Sequence, residues 1–504
     1  MNHTCAILSV GASLFGALLF GLALGFSGPA IDTMKDTVTT TDGRHIEIGA
    51  DSSLFVFRTE TEASLFGSMV NIGAIVGALG GGPVNEKVGR KWSLIGASPL
   101  FLLAFLWIGL ARTAWQLIVA RVVTGIALGM TSFSVPTYIG EVSPTKYRGL
   151  LGACNQLGIT IGILLAYVLG LAFRSQAGST DPNATSSTFC NWRLLSFIYI
   201  IPAALLGICM FFAPESPRWL AEKSRTEEAK VVLKRLRGVD ESDEGLKGEF
   251  AALDAIQAKK DVAGKGSIKK TLKALNHCRI QFFIGIMLQV LQQFSGINAV
   301  IFYQTSIFQA AGVESRDVIS LTVMAVQVIV TFIAVMIVDR AGRRILLISA
   351  ATGMCLSAVC EGLFFYLRDV SGNENVGWLA ITAAYCYIAS FSLGVGAIPW
   401  LIMAELFPDE VRGLASSLAT MVNWLCSFLV TQFLNDIREA ITFYGVFWLF
   451  AGICLIMVLF VMFLVPETKG RTFEEIQAYF QRRYRMGSSP DTPAQPSGSV
   501  SPSK

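Results

Sequence analysis

A signature of charged residues occurs twice along this 504-residue chain. Glu86, Gly89, Arg90 and Lys91, then Glu141 with Arg148 and Gly149, then Pro214-Glu215-Ser216-Pro217-Arg218 form the first copy. Asp339, Arg340, Gly342, Arg343 and Arg344, Glu405 with Arg412 and Gly413, and Pro466-Glu467-Thr468-Lys469-Gly470-Arg471 form the second. Glu141 to Arg148 and Glu405 to Arg412 are each seven residues, and Glu86 to Glu215 spans 129 against 128 for Asp339 to Glu467. A duplication of this length, threaded through apolar segments, fits a membrane protein of two pseudo-symmetric halves, the plan of many transporters. A soluble helical repeat can also duplicate, but it does not bunch its charges between long apolar runs.

Composition agrees. Apolar residues make up 53% of the chain before its 47 glycines are counted, against about 45–50% with glycine included in soluble domains. Charged residues are 15%, where about 25% is usual. Twelve apolar stretches approach the ~20 residues that cross a hydrocarbon core. They lie at about 6–29, 62–84, 93–111, 115–137, 150–172, 192–213, 281–304, 317–338, 346–367, 378–402, 411–433 and 441–465. Each must be helical, because lipid offers no partner for backbone amides. The predicted fold class is therefore all-α and polytopic, with twelve transmembrane helices in two six-helix bundles.

The first stretch lacks a basic leader and a small-residue cleavage site, so it reads as a retained span. If the N-terminus is cytosolic, roughly thirty of the forty basic residues fall on the cytosolic side, as the positive-inside rule requires. The other side keeps only scattered ones such as Lys35, Arg44, Arg316 and Arg438. Both termini are predicted cytosolic, in the plasma membrane by preference or else an endomembrane. The expected division is 1–214 as the N-terminal bundle, 215–280 as a cytosolic linker with short helices, 281–465 as the C-terminal bundle, and 466–504 as a cytosolic tail disordered at its end. Within the linker, Thr226 to Leu236 alternates apolar and charged residues with helical period. No metal-ligand spacing or phosphate-cradling loop is visible, so neither a cofactor nor an enzyme is expected. The formal charge of +4 is too small to suggest nucleic acid. Asn183 heads a glycosylation sequon on the predicted outer side.

The charges at the cytosolic helix ends are predicted to pair across helices when the inner ends of the spans close, and to separate when they open. Exposed pairs contribute only ~0–1 kcal/mol each, so a network is needed to bias two states. Among the polar residues inside spans, Gln292, Gln293 and Asn298 are the densest set. On an unbroken helix 292, 295 and 299 share a face while 293 and 297 point elsewhere, but Gly296 is placed to loosen the helix there. Amides suit a neutral polyol because each donates and accepts without a counter-charge.

Glu86-Lys87-x-Gly89-Arg90-Lys91, Arg121-x-x-x-Gly125, Pro214-Glu215-Ser216-Pro217-Arg218, Gln292-Gln293-Phe294-Ser295-Gly296-Ile297-Asn298, Asp339-Arg340-Ala341-Gly342-Arg343-Arg344 and Pro466-Glu467-Thr468-Lys469-Gly470-Arg471 stand in a diagnostic order and spacing. With these motifs the chain resembles the sugar-porter family of the major facilitator superfamily over about residues 10–480. Gly21-x-x-x-Gly25-Phe26-Ser27-Gly28-Pro29 looks most like animal facilitative glucose transporters. The resemblance implies that Gln292, Gln293 and Asn298 bind hexose hydroxyls and that Gln156 and Gln327 are further pocket amides. It also implies Phe391 as a pocket wall, Trp400 and Trp424 as aromatic platforms, and Tyr303 as part of an outer gate. The ion-pair and gating set is then Glu86, Arg90, Arg121, Glu141, Arg148, Glu215, Asp339, Arg343, Glu405, Arg412 and Glu467.

Three departures stand out against the family pattern. Gln327 occupies a position where glucose transporters commonly have Asn. Ser392 replaces a frequent acid, and Ser427 replaces an Asn. Proton-coupled relatives also carry an Asp in the first span, paired with the Arg of the fourth; here Ala23 matches that Asp while Arg121 remains. Arg121 is expected to stabilise the bundle or to pair with a Glu of a neighbouring helix. The function implied is facilitative uniport of a hexose by alternating access, working as a monomer in a lipid bilayer. Proton symport, a disaccharide such as trehalose, and a non-transporting receptor are the alternatives.

Overall fold

The computed structural model describes residues 3–31, 34, 37–39, 45–47, 57, 59–144, 147–177, 192–238, 246–263, 278–310, 316–373, 376–470 and 473–484. The side chains of Tyr303, Asp339 and Arg412, and the whole of Asn183, lie outside the described residues. Among those described, eleven helices are long and apolar enough to cross a membrane. The last of them, Asp409–Leu464, breaks at Thr442, where φ is 67° and ψ 171°. The break separates two lengths, 409–441 and 443–464, the eleventh and twelfth spans. A short antiparallel pair, Thr37–Thr39 with His45–Glu47, follows the first span.

The spans end where local chemistry ends them. Thr59 and Thr113 cap the second and fourth (Glu60–Val88 and Ala114–Val142) by accepting from the backbone N–H of Glu62 and Gln116, as N-cap threonines do. Spans one to six pack among themselves, spans seven to twelve likewise, and the sets meet where the second runs along the eleventh and the fifth along the eighth. Between the second and fourth spans the backbones touch. A Cβ at Gly73 would lie 2.0 Å from the Val122 carbonyl oxygen, and one at Gly125 2.1 Å from that of Val70. With lipid as apolar as the side chains, such close approach is a main source of helix association.

The duplicated motif has a structural reason. Gly89 has φ of 109°, a conformation that favours glycine, and turns the chain from the second span into the third, Arg90–Leu110. Glu215 then caps the third span: its Oε1 accepts from the backbone N–H groups of Arg90 and Lys91, each at 3.1 Å, and of Ser216 at 2.8 Å. Gly342, with φ of 94°, and Glu467 repeat this at the ninth span, Arg343–Asp369. There Glu467 accepts from the N–H of Arg343 at 3.0 Å and of Arg344 at 3.1 Å. A carboxylate at a helix N-terminus satisfies orphan donors and meets the positive end of the dipole.

The ion pairs of the motif lie inside each half. Arg90 binds Glu141 at 2.9 Å and Arg343 binds Glu405 at 3.3 Å. Both pairs bridge two helices of the same half. Arg148 is exposed and pairs with no described residue. Glu86 does reach the other half, its carboxylate 3.0 Å from where a Cβ on Gly413 would stand.

The linker forms helices Pro217–Glu222, Thr226–Arg237 and Lys247–Ala263, packed on one another through Trp219, Leu220, Leu233, Leu246 and Leu253. Arg237, buried at the end of the second of these, donates to the carbonyls of Val142 and Ser143 and pairs with Glu249 at 3.0 Å. It closes the C-terminus of the fourth span, where carbonyls lack helical partners.

The two capping acids titrate in opposite directions. Burial pushes Glu215 above the usual carboxylate range. Burial acts the same way on Glu467, but the N–H groups of Lys469, Arg344, Arg343 and Thr468 together hold it below that range. An acid with a lowered folded pKa contributes stability above its unfolded pKa and loses it as pH falls through the folded value. Thermal unfolding of the purified protein should thus lose stability on acidification more steeply in the wild type than in Glu467→Gln. Equal slopes would remove that cap from the stability of the second half.

Candidate functional site

The seventh span is two helices, Arg279–Phe294 and Ile297–Ala310. They meet at Gly296, where φ is 93°. Opposite this break the tenth span, Gly377–Ser390 and Ile398–Leu406, is itself interrupted by a widened π turn, Phe391–Val395. Interrupted helices inside a membrane need side chains or water to replace their missing backbone bonds. Here Gln292 supplies them, its Nε2 donating to the carbonyl oxygens of Val395 at 2.7 Å and Gly396 at 3.2 Å. Tyr387 donates its hydroxyl to the Ser295 carbonyl at 2.6 Å.

From Gln292 a chain of neutral side chains runs through the core. Asn423 Nδ2 donates to Gln289 Oε1 at 2.8 Å and to Gln292 Oε1 at 3.0 Å. Gln293 Nε2 donates to Asn423 Oδ1 at 3.2 Å. Asn298 Nδ2 donates to Gln293 Oε1 at 2.7 Å and to Ser427 Oγ at 2.8 Å. Ser427 Oγ donates in turn to Asn71 Oδ1 at 3.2 Å, and Asn71 Nδ2 to Thr431 Oγ1 at 3.1 Å. Gln289, Gln292, Gln293, Asn298, Asn423, Ser427 and Asn71 are all buried. Gln292 and Gln293 are neighbours on the continuous helix Arg279–Phe294, and Asn423 bonds the side chains of both.

The other predicted residues are less engaged. Phe391 is buried within the π turn and Trp400 is partly buried beyond it. Trp424 is buried with its ring 5.6 Å from that of Phe20, and its Nε1 has no partner among the described residues. Gln327 is buried, its Oε1 likewise without a partner. Gln156, on the fifth span Arg148–Ala177, is partly exposed and outside the bonded cluster. Arg121, buried in the fourth span, meets no carboxylate among the described residues, so the expected pairing with a Glu is corrected. It donates to the carbonyl oxygens of Ala23 at 2.8 Å and Phe66 at 3.3 Å and to Ser27 Oγ, with the Phe66 ring 4.9 Å away.

A family profile described as "Sugar (and other) transporter" matches residues 8–480. The chain belongs to this sugar transporter family. It is 38% identical over 475 residues to "Sugar transporter ERD6-like 6" of Arabidopsis thaliana, covering 92% of this chain and 88% of the relative. It is 35% identical to the mouse solute carrier family 2 facilitated glucose transporter member 8, covering 94% of each. It is also 35% identical to the facilitated trehalose transporter Tret1 of Polypedilum vanderplanki, covering 96% of this chain and 89% of that one. Among solved structures it resembles the major facilitator proton:xylose symporter XylE bound to 6-bromo-6-deoxy-D-glucose, with TM-score 0.77, 25% identity, and coverage of 95% of this chain and all of that one. This sugar transporter is thus a multi-pass membrane protein of the major facilitator superfamily and not an enzyme.

Sequence reasoning missed Gln289 and Asn71 and gave Asn423 no role of its own. Each is an amide within an apolar span, and that alone is a detectable signal, since an intramembrane polar group is costly without a partner. Gly296 holds the cluster in shape. A Cβ there would lie 2.4 Å from the Phe450 ring, at a positive φ as well. Gly296→Ala should lower the stability of the transporter by about 1–3 kcal/mol and slow sugar uptake per molecule in the membrane. Wild-type melting temperature and uptake in that variant would show the break to be incidental.

Proposed function

We propose that this transporter is a facilitative uniporter of a neutral hexose, working by alternating access between its two halves. The observation that carries the reading is the uncharged, self-bonded amide chain of Gln289, Gln292, Gln293, Asn298 and Asn423 at the paired breaks of the seventh and tenth spans. Such groups exchange bonds with one another for bonds with sugar hydroxyls at little net cost, because both states are fully paired. Transporter sites lie characteristically at discontinuous helices between repeats.

Uniport is supported by the surroundings of Arg121. The first span presents Ala23 to it through a backbone carbonyl, which carries no titratable proton. We assign residues 1–214 and 281–465 to the two moving bundles, 215–280 to a cytosolic linker and 466–504 to a cytosolic tail, the excess of Lys and Arg orienting both termini inward. The motif pairs Arg90–Glu141 and Arg343–Glu405 then keep each bundle rigid as it rocks. The plasma membrane is the favoured site, and the functional unit is the monomer.

A disaccharide carrier is the second reading. The trehalose-transporter relatives favour it, as does unfilled bonding capacity in the core, where neither amide atom of Gln304 and not the Oε1 of Gln327 has a described partner.

Gln293→Ala should raise the half-saturation constant for sugar about two- to tenfold, the effect of one neutral hydrogen bond, with the amount of folded protein unchanged. An unaltered constant removes Gln293 from the site. In proteoliposomes sugar flux should be indifferent to an imposed pH gradient; accumulation driven by acid outside would establish symport. Counterflow across D-glucose, D-fructose and trehalose decides between hexose and disaccharide.

A further inference from the structure

Along the contact between the second and eleventh spans, polar side chains recur at helical period. Asn435 Nδ2 donates to Ser64 Oγ at 3.1 Å, Ser68 Oγ donates to Gln432 Oε1, and Asn71 Nδ2 donates to Thr431 Oγ1 at 3.1 Å. Each rung crosses from one half to the other. On the proposed topology they lie toward the outer end, since the second span enters there at Glu60. The innermost rung differs from the rest. Asn71 is fully buried, and its Oδ1 also accepts from Ser427 Oγ at 3.2 Å, the same hydroxyl oxygen that accepts from Asn298 Nδ2 at 2.8 Å.

We propose that Asn71 is a positioning residue that couples occupancy of the amide cluster to closure of the outer end. Asn71 is the side chain of the first half that bonds into the cluster through Ser427, and it is at the same time a rung of the ladder. A sugar hydroxyl that takes the Asn298 amide withdraws a donor from Ser427 and so changes the bond that Ser427 makes to Asn71. The strength of the ladder then differs between empty and loaded carrier, which is the differential interaction that a conformational shift requires. Coupling is reciprocal, so opening the ladder changes affinity at the cluster by the same factor. The neutrality of every rung matters: such bonds are strong enough to bias two states and weak enough to break in each cycle.

This inference rests on the sugar-carrier reading. The experiment compares zero-trans uptake with equilibrium exchange of radiolabelled D-glucose, D-fructose and trehalose in proteoliposomes. If Asn71 couples site and gate, Asn71→Ala changes the ratio of exchange to zero-trans rate about fivefold, the equivalent of one neutral hydrogen bond. Ser64→Ala, which removes a rung with no bond to the cluster, keeps the wild-type ratio. An Asn71→Ala protein with the wild-type ratio and wild-type half-saturation constant overturns the proposal, as does a Ser64→Ala protein that shifts the ratio equally. Should Asn71→Ala not reach the membrane, Thr431→Val removes the acceptor of Asn71 Nδ2 with little change of shape and must show the same altered ratio. Wild-type vesicles that carry none of the three sugars in counterflow would instead refute the parent reading, and the coupling with it.

Discussion

Inside a bilayer an unpaired polar group is costly, so donors and acceptors pair within the protein or face a water-filled cavity. Most features of this transporter that are not plain apolar helix follow from that constraint. Gln292 serves the loosened carbonyls of the tenth span, and Arg121 is satisfied by the Ala23 and Phe66 carbonyls and the Ser27 hydroxyl. The central amides satisfy one another.

The same constraint explains why the two halves are alike at one end and unlike in the core. At the helix ends the task is identical in both copies: a glycine at positive φ turns the chain, and a returning carboxylate caps the next helix, Glu215 in one half and Glu467 in the other. In the core the amides come almost wholly from the second half, with Asn71 the contribution of the first. Duplication supplied a common frame, and the polar chemistry of the core diverged within it.

Much of this was legible in the sequence. Span count, the short linker helix and the buried placement of Gln292, Gln293 and Asn298 inside a span follow from hydropathy, periodicity and the rarity of amides in lipid. The helical wheel puts Gln292 and Gln293 on different faces but does not show that one partner from another span, Asn423, reaches both. The charged motif was readable as a repeat, but which backbone N–H groups Glu215 and Glu467 bind leaves no mark in the sequence. Asn71 went unnoticed for a related reason: a single amide on a span acquires meaning only when the opposing helix, more than 350 positions away, is known to present Ser427 and Thr431.

The central claim is that sugar binds by taking over hydrogen bonds that Asn423 and its neighbours now make to each other. Equilibrium binding of the counterflow-selected sugar to purified wild type and Asn423→Ala tests it most directly, followed by calorimetry or by the fluorescence of the adjacent Trp424. The cluster predicts saturable binding in the wild type and binding weaker by about tenfold in the variant, which loses the node joining three glutamines. Equal affinity in two equally folded proteins would contradict it.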